Sequence, residues 1–154
     1  MELPLIVILG PTASGKTAYA IRLARLIGGE VICADSRTVY RGMDIGTAKP
    51  TGPERAGVSH WGLDLTEPDQ RYSLYDFQRY AMAKIAEIRQ RQHVPLLVGG
   101  SGLYINSVIY DYRLAGGDYD PTTRAELEKL PPDELRRLAI KRGTKLPRDL
   151  DNKR

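Results

Sequence analysis

The segment Gly10-Pro11-Thr12-Ala13-Ser14-Gly15-Lys16-Thr17 constrains the fold of this chain more than any other. In Gly-x-x-x-x-Gly-Lys-Thr the two glycines let the backbone turn back and aim its N–H groups inward. With the start of a following helix, those amides form an anion hole. Lysine reaches over the loop to phosphate oxygens, and the threonine hydroxyl is the metal-side group, for Mg²⁺. Such a phosphate-binding loop needs a strand before it and a helix after it. Leu3–Leu9 is an apolar run broken only by Pro4 and reads as a buried strand. Lys16–Ile27 carries Ala20, Leu23, Ala24 and Ile27 at helical spacing, and Gly28-Gly29 ends it. The loop predicts a bound di- or triphosphate without saying what happens to it.

Further along, Glu30–Ala34 reads as a second short strand. Residues 35–72 are rich in Gly, Pro, Asp and Thr and read as loops with short elements, a long excursion of the kind that carries function. Ser73 is a helix N-cap with Asp76 three residues on, opening a helix from Leu74 to about Gln92 that buries Phe77, Ala81, Ile85 and Ile88. Val94–Val98 is a third strand, closed by Gly99-Gly100, and Gly102–Tyr110 another helix. Strands alternating with helices predict a parallel sheet. The expected fold is α/β: a P-loop NTPase-like parallel sheet flanked by helices, with a small helical C-terminal appendage. The core is expected over 1–112 and the appendage over 113–154, with helices near 122–130 and 132–142. Three strands make a thin sheet, so the chain reads as part of a larger protein.

Composition narrows the classes. With 42% apolar and 27% charged residues in 154, the chain reads as one soluble domain with a small addition. It has no apolar run long enough for a transmembrane helix. The lone Cys33 is expected as a small core residue, and cytoplasmic residence as the default. The net charge of +4 sits at one end: residues 1–120 carry 13 Lys/Arg and 13 Asp/Glu, residues 121–154 carry 10 and 6. A basic end can contact an anionic polymer, or can be a solvated helix face.

Other residues bear on the chemistry. Asp35 follows the second strand directly, at the carboxyl edge it shares with the phosphate loop. A carboxylate there can be a general base or a Mg²⁺ ligand, or can cap its own turn, since Asp-Ser is a good turn former. Gly99-Gly100-Ser101-Gly102 lets backbone and hydroxyl approach a ligand closely. The spacing around Ser101 is wrong for a nucleophile elbow. His60 and His93 stand in unlike contexts, which argues against zinc.

Taken together, these motifs resemble the tRNA dimethylallyltransferases, or tRNA isopentenyltransferases. The phosphate loop carries that family's Pro-Thr-Ala filler. Asp35-Ser36-Arg37-Thr38-Val39-Tyr40-Arg41-Gly42-Met43-Asp44-Ile45-Gly46-Thr47-Ala48-Lys49-Pro50 resembles its most distinctive stretch. Gly57-Val58-Ser59-His60 with Asp64, Tyr72-Ser73, Leu97–Ile105 and Asp120-Pro121 with Arg124 follow its pattern. Departures are Thr38 where the family usually has Gln, Ser101 where it has Thr, and Trp61 in place of a common second His. Family members are also about twice as long, and most tRNA-clasping residues would follow Asp149–Arg154.

The resemblance implies transfer of a dimethylallyl group from dimethylallyl diphosphate to N6 of adenosine 37 in tRNA, beside the anticodon. Residues 10–17 would hold the diphosphate, Thr17 the Mg²⁺, and Asp35 and Ser101 the reacting groups. Asp35, Ser36, Arg37, Thr38, Ser101 and Arg124 would meet the tRNA, with Thr38, Asp35, Ser36 and Arg37 lining the mouth where the anticodon loop arrives. For Arg124 a plain helix-surface charge is the competing reading. Tyr40 and Tyr104 are expected to pack rather than stack on bases. A monomer is expected. Three rivals stay open, one of them a related transferase acting on free adenine nucleotides, which the basic end and the second motif disfavour. A small-molecule P-loop kinase would need ATP and an arginine-bearing lid, and residues 42–70 are arginine-poor. A non-catalytic diphosphate- or RNA-binding module would bind without turnover.

Overall fold

A computed structural model describes residues 2–114 and 120–143. It divides into two compact units, Met1–Ala115 and Gly116–Arg154. The first holds β1 (Ile6–Leu9), α1 (Lys16–Ile27), β2 (Gly29–Cys33), β3 (His60–Trp61), α2 (Leu74–Gln90), β4 (Val94–Gly99) and α3 (Gly102–Ile109). The second holds α4 (Pro121–Leu127) and α5 (Pro132–Lys141). Among the described residues no helix is long and apolar enough to cross a membrane.

The strands form one parallel sheet in the order β1-β4-β2-β3. Sequence reading expected three strands, and β3 is the addition. Two residues carry no periodicity, so only pairing with Val31 and Ile32 of β2 defines it. Strand β1 starts three residues later than expected. Pro4 has no N–H to give a ladder, and pairing with β4 begins at Ile6 opposite Leu96.

Side chains alternate across the sheet and split the core in two. Val31, Leu96 and Val98 face α1 and meet Ala20 and Ala24. Ile32 and Leu97 face the other way and meet Phe77, Ala81, Ile85 and Ile88 of α2 and Ile105 and Val108 of α3. A one-residue slip would exchange the two faces. Tyr104 is buried here, its ring stacked on Phe77 at 4.2 Å between centroids. Helix α2 opens with a full capping box: the Asp76 N–H donates to Ser73 Oγ, and the Ser73 N–H to Asp76 Oδ2.

At the amino end of β2 lies a carboxylate only 4% exposed, Glu30. It accepts from Trp61 Nε1 at 2.6 Å and from Arg91 Nε and Nη2 at 3.1 and 2.9 Å, and it pairs with His93 Nδ1 at 2.7 Å. Lys84 Nζ sits 4.1 Å over the Trp61 ring. Trp61, a departure from the family pattern, thus satisfies a buried acid. Burial alone would raise the Glu30 pKa. The bonds from Arg91, His93 and Trp61 outweigh it and lower the value from 4.5 to about 2. A carboxyl held down in this way stabilises the fold above its unfolded pKa. That stability is lost as pH falls from about 4.5 toward 2, and amounts to about 3 kcal/mol. Urea midpoints taken at pH 6 and pH 3 should therefore fall less for Glu30→Gln than for the unchanged chain. Equal losses would show that this carboxylate does not carry the acid sensitivity.

Candidate functional site

Three strand ends meet at the carboxyl edge of the sheet. The register sets Leu9 beside Gly99 and Cys33 beside Val98. Backbone bonds continue the ladder past the strands: Gly10 N–H donates to Gly99 O at 3.3 Å, Ala34 N–H to Val98 O at 2.7 Å, and Ser101 N–H to Ala34 O at 3.3 Å. The segments after β1, β2 and β4 are thereby stitched into one surface. The approach is so close that a Cβ on Gly99 would lie 1.9 Å from Ala34 O. A Cβ on Gly100 would come 3.3 Å from Gly10 O and 3.9 Å from Lys16 Nζ, so Gly100 backs the phosphate loop.

The loop itself turns on two left-handed residues, Ala13 (φ 62) and Gly15 (φ 79). Gly15 is the N-cap of α1 and supplies no side-chain cap. The first N–H groups of this twelve-residue helix are thus not taken by a capping side chain and suit an anion. Lys16 Nζ folds back over the loop and donates to Pro11 O at 2.9 Å. Pro11, Thr12, Ala13, Gly15, Lys16 and Thr17 line a cleft of about 930 Å³.

Asp35, Ser36, Arg37, Thr38 and Ser101 line the same cleft. Asp35 Oδ1 accepts from the Arg37 N–H at 2.8 Å. The turn-capping role therefore exists, and one carboxylate oxygen remains for a ligand. Ser101 Oγ accepts from the Ser36 N–H at 3.2 Å, which leaves its own proton to donate. Thr38 differs from expectation. It is 6% exposed, and its Oγ1 donates to Asp35 O at 3.4 Å, so it lies in the wall under Asp35 rather than at the mouth. Cys33 is half-buried, packs on the α1 side of the core and also lines the cleft. Burial pushes its thiol up to about 12, which keeps it neutral. The Thr17 hydroxyl and the Asp35 carboxylate are hard oxygen donors on one cleft. They suit Mg²⁺, which keeps waters and takes substrate phosphate oxygens for the rest of its shell.

Sequence reading gave no role to the opposite lip of the cleft, where Ile45, Gly46, Thr47, Ala48 and Pro50 stand. The lip is locked by Lys49, whose side chain is 3% exposed. Its ammonium reaches Asp44 Oδ1 and Asp64 Oδ1, each at 2.7 Å, and Tyr40 O at 2.9 Å. Those contacts use all three of its donors. Burial disfavours the charge, but the bonds to Asp44 and Asp64 hold the pKa above its ordinary value. The available signal was a lysine flanked by two aspartates, and nothing local pairs residues fifteen positions apart.

In the second unit Asp120 caps α4 by accepting from the Thr122 and Thr123 N–H groups. Arg124 Nε pairs with Glu128 Oε1 at 2.6 Å. Asp149–Arg154 lie outside the described residues.

A family model described as IPP transferase matches residues 38–149. The tRNA dimethylallyltransferase of Pelotomaculum thermopropionicum is 48% identical over 126 residues, covering 82% of this chain and 40% of the relative. That of Roseiflexus sp. is 51% identical over 127 residues, covering 82% and 42%. The crystal structure of a full-length tRNA isopentenylpyrophosphate transferase from Bacillus halodurans superposes with a TM-score of 0.72 at 48% identity, covering 83% of this chain and 42% of that one. A eukaryotic dimethylallyltransferase acting on tRNA superposes at 0.76 with 30% identity, covering 89% and 35%. The chain spans about two fifths of the length of the curated relatives it matches.

Proposed function

Because this chain belongs to the IPP transferase family of tRNA dimethylallyltransferases, we propose that it carries the chemistry of dimethylallyl transfer from dimethylallyl diphosphate to N6 of adenosine 37 in tRNA. The observation that carries the reading is one cleft lined by the phosphate loop, Asp35 and Ser101.

The adenine amine is a weak nucleophile because its lone pair is delocalised into the ring. Its nitrogen bonds to the allylic carbon, the carbon–oxygen bond to diphosphate breaks, and the electron pair leaves with the diphosphate. Asp35 accepts the N6 proton as the new bond develops. Lys16 and the loop amides neutralise the departing charge. Thr17, on the same cleft as the Asp35 carboxylate, would hold Mg²⁺, which supplies Lewis-acid stabilisation of the leaving diphosphate when bound. Ser101, with its oxygen engaged by Ser36 N–H, keeps a proton to orient the incoming base. Arg37 is an exposed cation for RNA phosphate on this unit, and the basic second unit with Arg124 supplies more. A soluble monomer working where tRNA is made and decoded, in the cytoplasm, fits this role.

The test is transfer of labelled dimethylallyl diphosphate, with Mg²⁺, to an anticodon stem-loop with adenosine at position 37. Label in the RNA supports the transferase. Diphosphate binding without transfer favours a binding module, and no binding by a folded chain sinks the reading. Removing the ammonium in Lys16→Ala should weaken inorganic pyrophosphate binding by about 10–100-fold, the usual loss for one hydrogen bond to a charged group. Titration calorimetry checks this, and unchanged affinity would remove Lys16 from the site.

A further inference from the structure

The lip opposite the phosphate loop carries the most exposed large apolar side chain among the described residues. Ile45 is 98% exposed, and its neighbour Met43 is 43% exposed. An isolated exposed aliphatic on a surface needs no explanation. Ile45 is different because it lines the cleft and stands in a loop closed by its own hydrogen bonds. The Ala48 N–H donates to Ile45 O at 3.2 Å and the Lys49 N–H to Asp44 O at 3.2 Å, while Thr47 Oγ1 donates to Met43 O. Below the loop the buried Lys49 ammonium joins Asp44 to Asp64. Nearby Gly46 has open space around it, so the loop there is crowded by nothing of its own. The side chain is thus presented outward on a hydrogen-bonded support.

An enclosed apolar tail would need walls on several sides, and buried Ile21, Val31 and Val98 of the cleft offer such a wall. Ile45, with almost all of its surface free, suits a partner larger than the cleft. A base that enters the cleft must leave its stack, and the vacancy exposes two base faces. Proteins that unstack nucleic acid fill such steps with apolar wedges, isoleucine among them. Exposed Arg37 on the same cleft offers charge for the RNA backbone.

We infer that Ile45 is the wedge that enters the RNA stack and stabilises the extruded target base. This rests on the RNA reading proposed above. The test uses the full chain, an anticodon stem-loop with 2-aminopurine at the target position, and a linear oligonucleotide of the same loop sequence. Binding to the stem-loop should raise 2-aminopurine fluorescence. Ile45→Ala should weaken stem-loop binding by about tenfold and abolish most of the fluorescence rise. Its binding to the linear oligonucleotide should change less than about twofold, because that base is already unstacked. Pyrophosphate affinity and thermal midpoint should match the unchanged chain, and Ile45→Leu should restore the signal. Equal fluorescence with Ile45→Ala overturns the wedge alone, as does an equal loss on both RNAs. No stem-loop binding by the unchanged chain overturns the wedge and the RNA reading together.

Discussion

Under the reaction proposed above, Asp35→Asn should lower the rate of prenyl transfer by about 10²–10⁴-fold, the range expected when a positioned general base is lost. Asparagine keeps the size of the side chain and an oxygen for the Arg37 N–H, which donates to Asp35 Oδ1 at 2.8 Å. The turn after β2 therefore persists, and the thermal midpoint should move little. What disappears is the capacity to accept a proton, the role proposed for this carboxylate. The effect should fall on kcat, with inorganic pyrophosphate affinity within a few-fold of the unchanged chain when Mg²⁺ is left out. Single-turnover kinetics with labelled dimethylallyl diphosphate, alongside calorimetry, separate the two. A rate within tenfold of the unchanged chain would reduce Asp35 to its turn-capping role. A large drop in melting temperature would mark the change as structural. Both roles belong to one carboxylate because its two oxygens divide them, one on the backbone and one on the cleft.

Gly99→Ala is the largest stability effect expected from adding a single methyl group. The added Cβ would sit 1.9 Å from Ala34 O, 2.5 Å from Ala34 C and 2.9 Å from Ala34 Cα. These are backbone atoms in the stitched edge, flanked by the bonds Ala34 N–H to Val98 O and Ser101 N–H to Ala34 O. Relief requires β2 and β4 to part where Asp35 and Ser101 are positioned. The expected loss is about 3 kcal/mol or more, at the upper end for overpacking because no side chain can rotate away. Gly46→Ala is the control, since nothing lies within 4 Å of a Cβ there, and its urea midpoint should be unchanged. If Gly99→Ala matches Gly46→Ala, the two strand ends have room to separate and the stitched surface is not a rigid part of the site.

Elements whose signal is local are legible in the residues themselves. Helix α1 keeps its expected bounds of Lys16–Ile27, because the glycines at both ends and the apolar spacing between them are neighbours in the chain. The Ser73–Asp76 capping box is likewise a matter of four consecutive residues. Other positions differ from expectation for non-local reasons. Strand β3 exists only by pairing with β2. Strand β1 waits for a partner beyond Pro4. Thr38 is drawn under Asp35 because residues 38–41 run beside 64–66, with Leu65 N–H donating to Val39 O at 2.7 Å.

For the site the division is similar. By itself the sequence determined the phosphate loop, the acid after β2 and the glycine–serine turn after β4, because strand-to-loop order alone sends these segments to one sheet edge. Tertiary structure alone decided that Ser101 bonds Ser36, that Gly99 admits no side chain, and that Lys49 locks the lip carrying Ile45. The physical reason is range. A loop motif is held together by the covalent chain, whereas a buried ammonium finds its carboxylates only after the sheet and its long excursion have closed around them.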